Sequence, residues 1–224
     1  MMGRTHVVVG MATGVIAMNP FTIKDLCFGL GVSAIGSVLP DIDCGTSKSH
    51  VGLIKILAIQ LFIVMLVVFL DNFFQLGIYN SLIKNRNTTM MLCVVFFFLF
   101  LCLIGMITRH RTFMHSIVGF ALFSGSLYIL VPNYINYFML SFASHIFLDL
   151  FNEQKIELFY PKKIFRLSFN MFPSDGKVNW LMFVIGFAFL IWGVAHSVAH
   201  ICGMPDMNKI NQSPVTIDCR DVRF

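Results

Sequence analysis

The sequence predicts an all-α fold: a polytopic membrane helix bundle in which an N-terminal hairpin of short helices precedes about five transmembrane helices. Two observations support this prediction. Hydrophobic residues make up 57% of the 224 residues and only 12% are charged, and the mean hydropathy is +0.80. A typical soluble domain is about half apolar and about a quarter charged. The apolar residues also form long runs, and a bilayer span needs about 20 of them.

The N-terminal part contains two shorter apolar pieces, His6–Met18 and Leu26–Leu39, joined by NPFTIKD. As α-helices of 13 and 14 residues they would reach roughly 20 Å, which is less than a hydrocarbon core. Both pieces are rich in glycine, which lets helix backbones approach closely. We therefore predict a hairpin, either spanning or half-inserted, that packs through Gly10, Gly14, Gly29 and Gly36.

Five further segments are predicted to cross the membrane. Three are long and uninterrupted, and the other two are separated by Pro132 and Asn133. In chain order the five are Val51–Phe74, Thr89–Thr108, Phe113–Val131, Tyr134–Phe151 and Val178–Ile201. The chain has no linker-like stretch, so we expect one integral membrane domain over residues 1–204 and a polar C-terminal tail over residues 205–224.

Threading these segments through a bilayer places the connecting loops alternately on two sides. The side that holds Arg4 and His6 also receives RHR (residues 109–111) and the loop Asn152–Lys177. It collects ten of the sixteen lysines and arginines. The positive-inside rule then makes this side cytoplasmic, and it places Asn80 and the tail on the opposite side.

Two motifs place carboxylates within or at the end of apolar segments. Asp41 and Asp43 close an apolar helix in PDID, where charge is costly unless it is paired or bound to a cation. The alternative is a solvated helix-stop turn. In SHIFLDLFN, His145 and Asp149 are four residues apart, so they share a helix face and can bind one ion. Here the alternative is a buried His–Asp hydrogen bond.

Two further histidines fall on the same side of the membrane. His6 lies near the start of the first helix, and His115 follows Arg111 by four residues, which predicts one shared helix face. Each alone is equally consistent with an interfacial histidine. Together the four segments bring imidazoles and carboxylates to one side, and these are ligands of zinc, manganese or a related divalent ion. Clustered ionisable groups in a membrane protein indicate a functional site.

The motifs THxxxG, GSVLPDID, RHRTFMHS, SHIFLD and ELFYP occur in this order over residues 5–161. In these motifs and their spacing the chain resembles the YdjM-type family of inner-membrane proteins. The resemblance implies a multi-helix protein of the bacterial inner membrane with a metal-dependent hydrolase site. It implies substrate contacts at Arg111 and Ser116, and metal ligands at His6, Asp41, Asp43, His115, His145 and Asp149.

The leading functional hypothesis is a metal-dependent hydrolase that cleaves a phosphoester or related bond of a lipid or lipid-linked substrate at the cytoplasmic face. Zinc or manganese would activate water, Asp43 would take its proton, and the planar fork of Arg111 suits phosphate oxygens. We expect membrane lipids as partners and no nucleic acid.

Two alternatives remain open at this point. Short glycine-rich helices with His/Asp pairs also suit an ion-handling or transport protein, although the chain shows no inverted repeat. A non-catalytic membrane protein with a structural metal fits equally well. The pair His196 and His200 in HSVAH has metal-ligand spacing, but threading places it on the opposite side, so it is left out of the predicted site.

Overall fold

The structure is a computed structural model that describes residues 3–45, scattered positions between 51 and 77, and residues 86–162, 166–171 and 176–203. Within these residues it is helical, as predicted. The α-helices are α1 Gly3–Met18, α2 Ile23–Val38, α3 Arg86–Ile107, α4 Ile117–Leu130, α5 Ile135–Leu150 and α6 Lys177–Ile201. Short 3-10 turns occupy Leu39–Asp43, Phe113–His115 and Pro132–Tyr134.

Three helical stretches are long and apolar enough to cross a membrane: Ile23–Asp43, Asn87–Ile107 and Lys177–Ile201. The last two confirm the predicted spans Thr89–Thr108 and Val178–Ile201. Helices α4 and α5 are shorter, with 14 and 16 residues. Most of the predicted span Val51–Phe74 lies outside the described residues. Asn80 and the tail 205–224 lie entirely outside them.

The second N-terminal piece is longer than the sequence prediction of 14 residues. Helix α2 begins at Ile23 because the Thr22 side chain caps it, accepting a hydrogen bond from the backbone N–H of Asp25 at 3.0 Å. At its other end the 3-10 turn Leu39–Asp43 continues the helix. The resulting stretch, Ile23–Asp43, has 21 residues and is long enough for a full span.

The predicted glycine-mediated packing of the hairpin is confirmed at Gly10 and Gly14, whereas Gly29 and Gly36 pack against α5. A Cβ atom added at Gly10 of α1 would lie 2.0 Å from the Ser37 hydroxyl oxygen on α2. One added at Gly36 of α2 would lie 2.7 Å from the Phe138 carbonyl oxygen on α5. Helices α1, α2 and α5 therefore touch through their backbones, and α6 packs against the outside of α1. This three-helix contact positions the polar residues described below.

A cluster of buried apolar side chains lies between α2, α3, α4 and α5. Phe123, Phe138 and Phe142 are fully buried in it, with ring centroids 5.5 to 6.3 Å apart. Large side chains on the outer faces of α3 and α6 are exposed, among them Phe100 and Trp192. Exposed aromatic and aliphatic residues on long apolar helices are what contact with lipid requires.

The connection between α3 and α4 corrects one prediction. Arg111 and His115 do not share a helix face, because residues 108–116 form a tight turn. Arg111 has φ of 66°, in the left-handed region, and His115 ends the 3-10 turn Phe113–His115. A loop segment docks onto this turn: the N–H of Glu157 donates to the Arg111 carbonyl at 3.0 Å. The N–H of Ile117 donates to the carbonyl of Leu158 in the same segment, also at 3.0 Å.

Candidate metal centre

The structure brings all six predicted metal ligands together at one end of the bundle. They come from four separate parts of the chain: α1, the 3-10 turn after α2, the 3-10 turn before α4, and α5. Each of these ligands has a nitrogen or oxygen atom within 4 Å of such an atom of at least one other ligand. In chain order the six are His6, Asp41, Asp43, His115, His145 and Asp149.

Asp149 lies at the centre of this cluster. Its Oδ1 atom is 3.2 Å from Nε2 of His6. Its Oδ2 atom is 3.2 Å from Nε2 of His115 and 3.8 Å from Nε2 of His145. All four residues are at most 1% exposed. The prediction that His145 and Asp149 share one face of a helix is therefore confirmed, and the imidazoles of His6 and His115 face the same carboxylate.

The two aspartates of PDID flank this centre on different sides. Asp41 Oδ1 lies 3.5 Å from Nε2 of His145. Asp43 Oδ2 lies 3.5 Å from Nδ1 of His115 and accepts the backbone N–H of Arg111 at 3.0 Å. The other oxygen of Asp43 is 2.6 Å from Nδ1 of His110. The 3-10 turn explains the split, since it points two carboxylates that are two residues apart toward different histidines.

The imidazole of His145 is oriented as a histidine metal ligand usually is. Nδ1 of His145 lies 2.6 Å from the Ser37 carbonyl oxygen, and a carbonyl can only accept a hydrogen bond. Nδ1 therefore carries the proton, and Nε2 presents a lone pair to the centre. Such a hydrogen bond from the second ring nitrogen is the common arrangement of histidine ligands.

Several buried nitrogen atoms of the cluster lack a hydrogen-bond partner: Nε2 of His145, both ring nitrogens of His115, and Nδ1 of His6. A buried polar atom without a partner costs about 1–3 kcal/mol. The stacked rings of His6 and His145, with centroids 3.8 Å apart, present their nitrogens beside carboxylates. This donor set fits divalent metal, which would bind one nitrogen of a ligating imidazole and balance the charge of the buried carboxylates.

Two polar residues hold the central carboxylate in place. The side-chain amide of Asn152 donates to Asp149 Oδ1 at 2.6 Å. Nη2 of Arg111 lies 3.4 Å from Asp149 Oδ2. Each oxygen of Asp149 thus has a donor outside the histidine cluster, which is the support that ligating carboxylates usually receive.

A polar pocket of about 410 Å³ adjoins the cluster, and we call it the cationic pocket. Its lining includes four cationic side chains and a single carboxylate, that of Glu157. The carboxylate is neutralised by Arg166, whose Nε and Nη2 atoms lie 2.9 and 2.8 Å from Oε1. The lining residues are Arg109, His110, Arg111, Thr112, Gln154, Lys155, Glu157 and Arg166. The excess of positive charge suits an anionic ligand.

Arg111 connects the cationic pocket to the metal-ligand cluster. It lines the pocket, yet its side chain is mostly buried, at 7% residue exposure. Nη1 donates to the Gln154 carbonyl at 2.7 Å, while Nη2 faces Asp149. The guanidinium is therefore held in one orientation between the two regions, as an anion-binding fork requires.

Ser116, a predicted substrate contact, has a different role in the structure. It is fully buried. Its hydroxyl donates to the Phe113 carbonyl at 2.7 Å and accepts the N–H of Gly119 at 3.0 Å. Both hydrogen-bonding functions are thus used to cap α4, and the position of Ser116 lends no support to a substrate contact.

Sequence reasoning missed the roles of His110, Asn152 and Gln154. His110 is the histidine of RHR, but if that segment were helical its side chain would point away from His115. In the turn its ring instead lies 5.5 Å from that of His115, edge to face. Asn152 lies three residues after Asp149, a spacing typical of side chains that meet at a helix end. No sequence signal points to the carbonyl of Gln154.

His196 and His200 lie away from the cluster. Both are exposed, and the ring of His200 packs 5.9 Å from that of Phe21, in the turn between α1 and α2. His6 lies at the opposite end of α1 from that turn. Among the described residues, the groups of three or more side chains able to hold a metal do not include this pair.

Comparison with known proteins identifies the family. The family described as YdjM inner membrane protein matches residues 1–204, most of the chain, and the chain therefore belongs to this family. This membership, together with the long apolar helices, places the protein in the inner membrane. No curated protein and no solved structure matches it significantly.

Proposed function

We propose that this chain is a membrane-embedded metal-dependent hydrolase, acting on a phosphoester or related bond of a lipid or lipid-linked substrate at the cytoplasmic face. One observation supports the proposal most directly. Three buried histidines surround the buried carboxylate of Asp149 within 3.8 Å, immediately beside a pocket with an excess of cations. Metal ligands next to an anion-binding pocket are the parts that phosphoester hydrolysis needs.

The metal would be zinc or manganese, because the ligand set contains imidazoles and carboxylates and no thiolate. When bound, such an ion lowers the pKa of water and polarises a phosphoryl oxygen. The residues that would hold it are the clustered His6, Asp41, Asp43, His115, His145 and Asp149.

The chain's own residues would bind the substrate and move a proton. Arg111 lines the cationic pocket and is held in place by Gln154 and Asp149, and its remaining N–H donors would bind phosphate oxygens there. Asp43 is oriented by His110 and the N–H of Arg111. Its carboxylate would accept the proton of the attacking water, the role of a general base.

The position of the site supports a lipid or lipid-linked substrate. Asp41 and Asp43 end a stretch long enough to cross the membrane, and Arg109 follows the span Asn87–Ile107 by two residues. The cationic pocket therefore belongs at the depth of lipid head groups. Each lysine or arginine near an anionic surface contributes about 1 kcal/mol of attraction. Membrane lipids are the partners that we propose.

The experiment is metal analysis combined with turnover, on the full chain in lipid nanodiscs. A panel of lipid phosphomonoesters and phosphodiesters serves as substrate. We expect the wild-type protein to retain zinc or manganese and to cleave one class of the panel. His145→Ala and Asp149→Ala should lose both properties, whereas the matched histidine variants His196→Ala and His200→Ala should keep both.

Other outcomes separate the alternatives. Unchanged metal content in correctly folded His145→Ala would refute the site. Bound metal without cleavage of any lipid phosphoester would favour a structural metal. Ion flux in proteoliposomes without cleavage would favour a transport protein.

A further inference from the structure

We infer that the centre is built for two divalent ions and that His110 is a ligand of the second. This inference rests on the proposed function and deepens it, because it gives the number of ions and adds a ligand. The cluster holds seven residues with metal-binding side chains: the six predicted ligands and His110. Seven donors exceed the four ligands of a typical zinc site and the six of an octahedral ion.

Of the three groups of donors among the described residues that could hold an ion, two share no residue, and the third, His115, His145 and Asp149, takes one histidine from each of them. The first group is His6, Asp41 and His145, and the second is Asp43, His110 and His115. Within each group, one ligand atom from each residue lies within 4.8 Å of the others. Each group contains two imidazoles and one carboxylate, a ligand set that zinc and manganese sites use.

Asp149 lies between the two groups and turns a different oxygen to each. Oδ1 is 3.2 Å from His6 of the first group. Oδ2 is 3.2 Å from His115 of the second group. A carboxylate in this position can bridge two ions, and the ions of two-metal hydrolytic sites are typically about 3.5–4 Å apart. The hydrogen bond from Asn152 holds the Asp149 carboxylate in this orientation.

Unpartnered buried nitrogens occur in both groups, which a single ion would not explain. In the first group these are Nε2 of His145 and Nδ1 of His6. In the second group both ring nitrogens of His115 lack a hydrogen-bond partner, with Nδ1 facing Asp43 at 3.5 Å. His115 and His145 are both fully buried. One ion placed among the first group would leave Nδ1 of His115 without a partner.

His110 gives the second group its access to the cationic pocket. Its side chain is 33% exposed, and it lines the pocket. Its Nδ1 atom and Asp43 Oδ1 lie 2.6 Å apart, so both could bind one ion after a small adjustment. The second ion would therefore face the substrate's anionic group, while the first remains buried behind it. The competing explanation is that His110 only positions Asp43 through a hydrogen bond.

The test is manganese stoichiometry and electron paramagnetic resonance on the full chain in nanodiscs loaded with Mn²⁺. We expect two Mn²⁺ per chain in the wild type, with the spectrum of a spin-coupled pair. His110→Ala should retain one Mn²⁺ per chain, with the spectrum of an isolated ion and second-site affinity lowered more than a hundredfold. His196→Ala is the matched control and should keep the coupled pair. Circular dichroism verifies folding, and His110→Gln replaces His110→Ala if the latter does not fold.

The outcomes distinguish this inference from the proposed function. A single Mn²⁺ per wild-type chain with phosphoester cleavage intact would overturn the two-ion centre and leave the hydrolase. Two coupled ions without cleavage would support the two-ion centre and remove the hydrolase. Two coupled ions in His110→Ala would refute the ligand role and show that His110 only positions Asp43.

Discussion

Nδ1 of His145 on α5 lies 2.6 Å from the backbone carbonyl oxygen of Ser37 on α2. This contact couples helix packing to the chemistry of the site. The two helices approach closely because Gly36 has no side chain, and the approach brings the carbonyl within reach of the imidazole. The same hydrogen bond leaves Nε2 of His145 free to face Asp41 and Asp149.

Gly36→Ala should therefore destabilise the protein and weaken metal binding. The added Cβ would lie 2.3 Å from the Ser141 hydroxyl oxygen and 2.7 Å from the Phe138 carbonyl oxygen. Overpacking of this kind costs about 1–3 kcal/mol. Thermal unfolding in detergent measures it, with Gly31→Ala as control, since a Cβ there meets no atom within 4 Å. Equal melting temperatures for the two variants would contradict the close contact.

Arg111→Lys should keep metal binding and lower phosphoester turnover about 10²-fold, the typical loss for one preorganised donor. Lysine keeps the charge but loses the planar fork that reaches Gln154 and Asp149. Arginine and lysine at position 111 would experience the same backbone strain at φ of 66°, so the substitution changes only the side chain's donor geometry. Metal analysis and turnover are measured together. Full activity would leave Arg111 as a topology signal only.

Arg109→Lys is the control for the arginine prediction. Arg109 lines the same pocket but is exposed, so exchange for lysine should change turnover little. A loss as large as that of Arg111→Lys would mean that both arginines bind the substrate through their planar forks.

Asn152→Ala should weaken metal affinity about 10–100-fold without changing the number of bound ions. This is the usual effect of removing a group that orients a ligand. Asn152 is fully buried and donates to Asp149 Oδ1 at 2.6 Å. Competition with a chelator measures the affinity, and Glu153→Gln, at an exposed neighbour, is the control. An unchanged affinity would remove the orienting role of Asn152.

Cysteine labelling should place the two ends of α5 on opposite sides of the membrane. With the native cysteines removed, Asn170→Cys should react only from the cytoplasmic side and Asn133→Cys only from the other. Asn170 lies beside the C-terminal end of α5, since the N–H of its neighbour Phe169 donates to the Leu150 carbonyl at 2.7 Å. Labelling of both positions from one side would break the predicted threading and the cytoplasmic assignment.

The helices were predictable where hydropathy alone decides them. Runs such as those of α3 and α6 are apolar on every face, and their length is visible in the sequence. The short glycine-rich hairpin was predictable for a related reason, because glycine spacing predicts close helix contact. The two bounds of α2 were less predictable from the sequence. A 3-10 turn and a threonine cap extended it to Ile23–Asp43, and hydropathy registers neither.

The sequence by itself indicated six of the clustered donors and predicted that they share one side of the membrane. Both follow from local spacing and from counting membrane crossings along the chain. Only the tertiary structure decided how the donors are arranged. It placed Asp149 at the centre, brought His110 to Asp43, turned Arg111 into a left-handed conformation, and used Ser116 as a helix cap. The physical reason is that these contacts join residues as far apart as 6 and 149, so they depend on how helices pack and how turns close, which local periodicity does not specify.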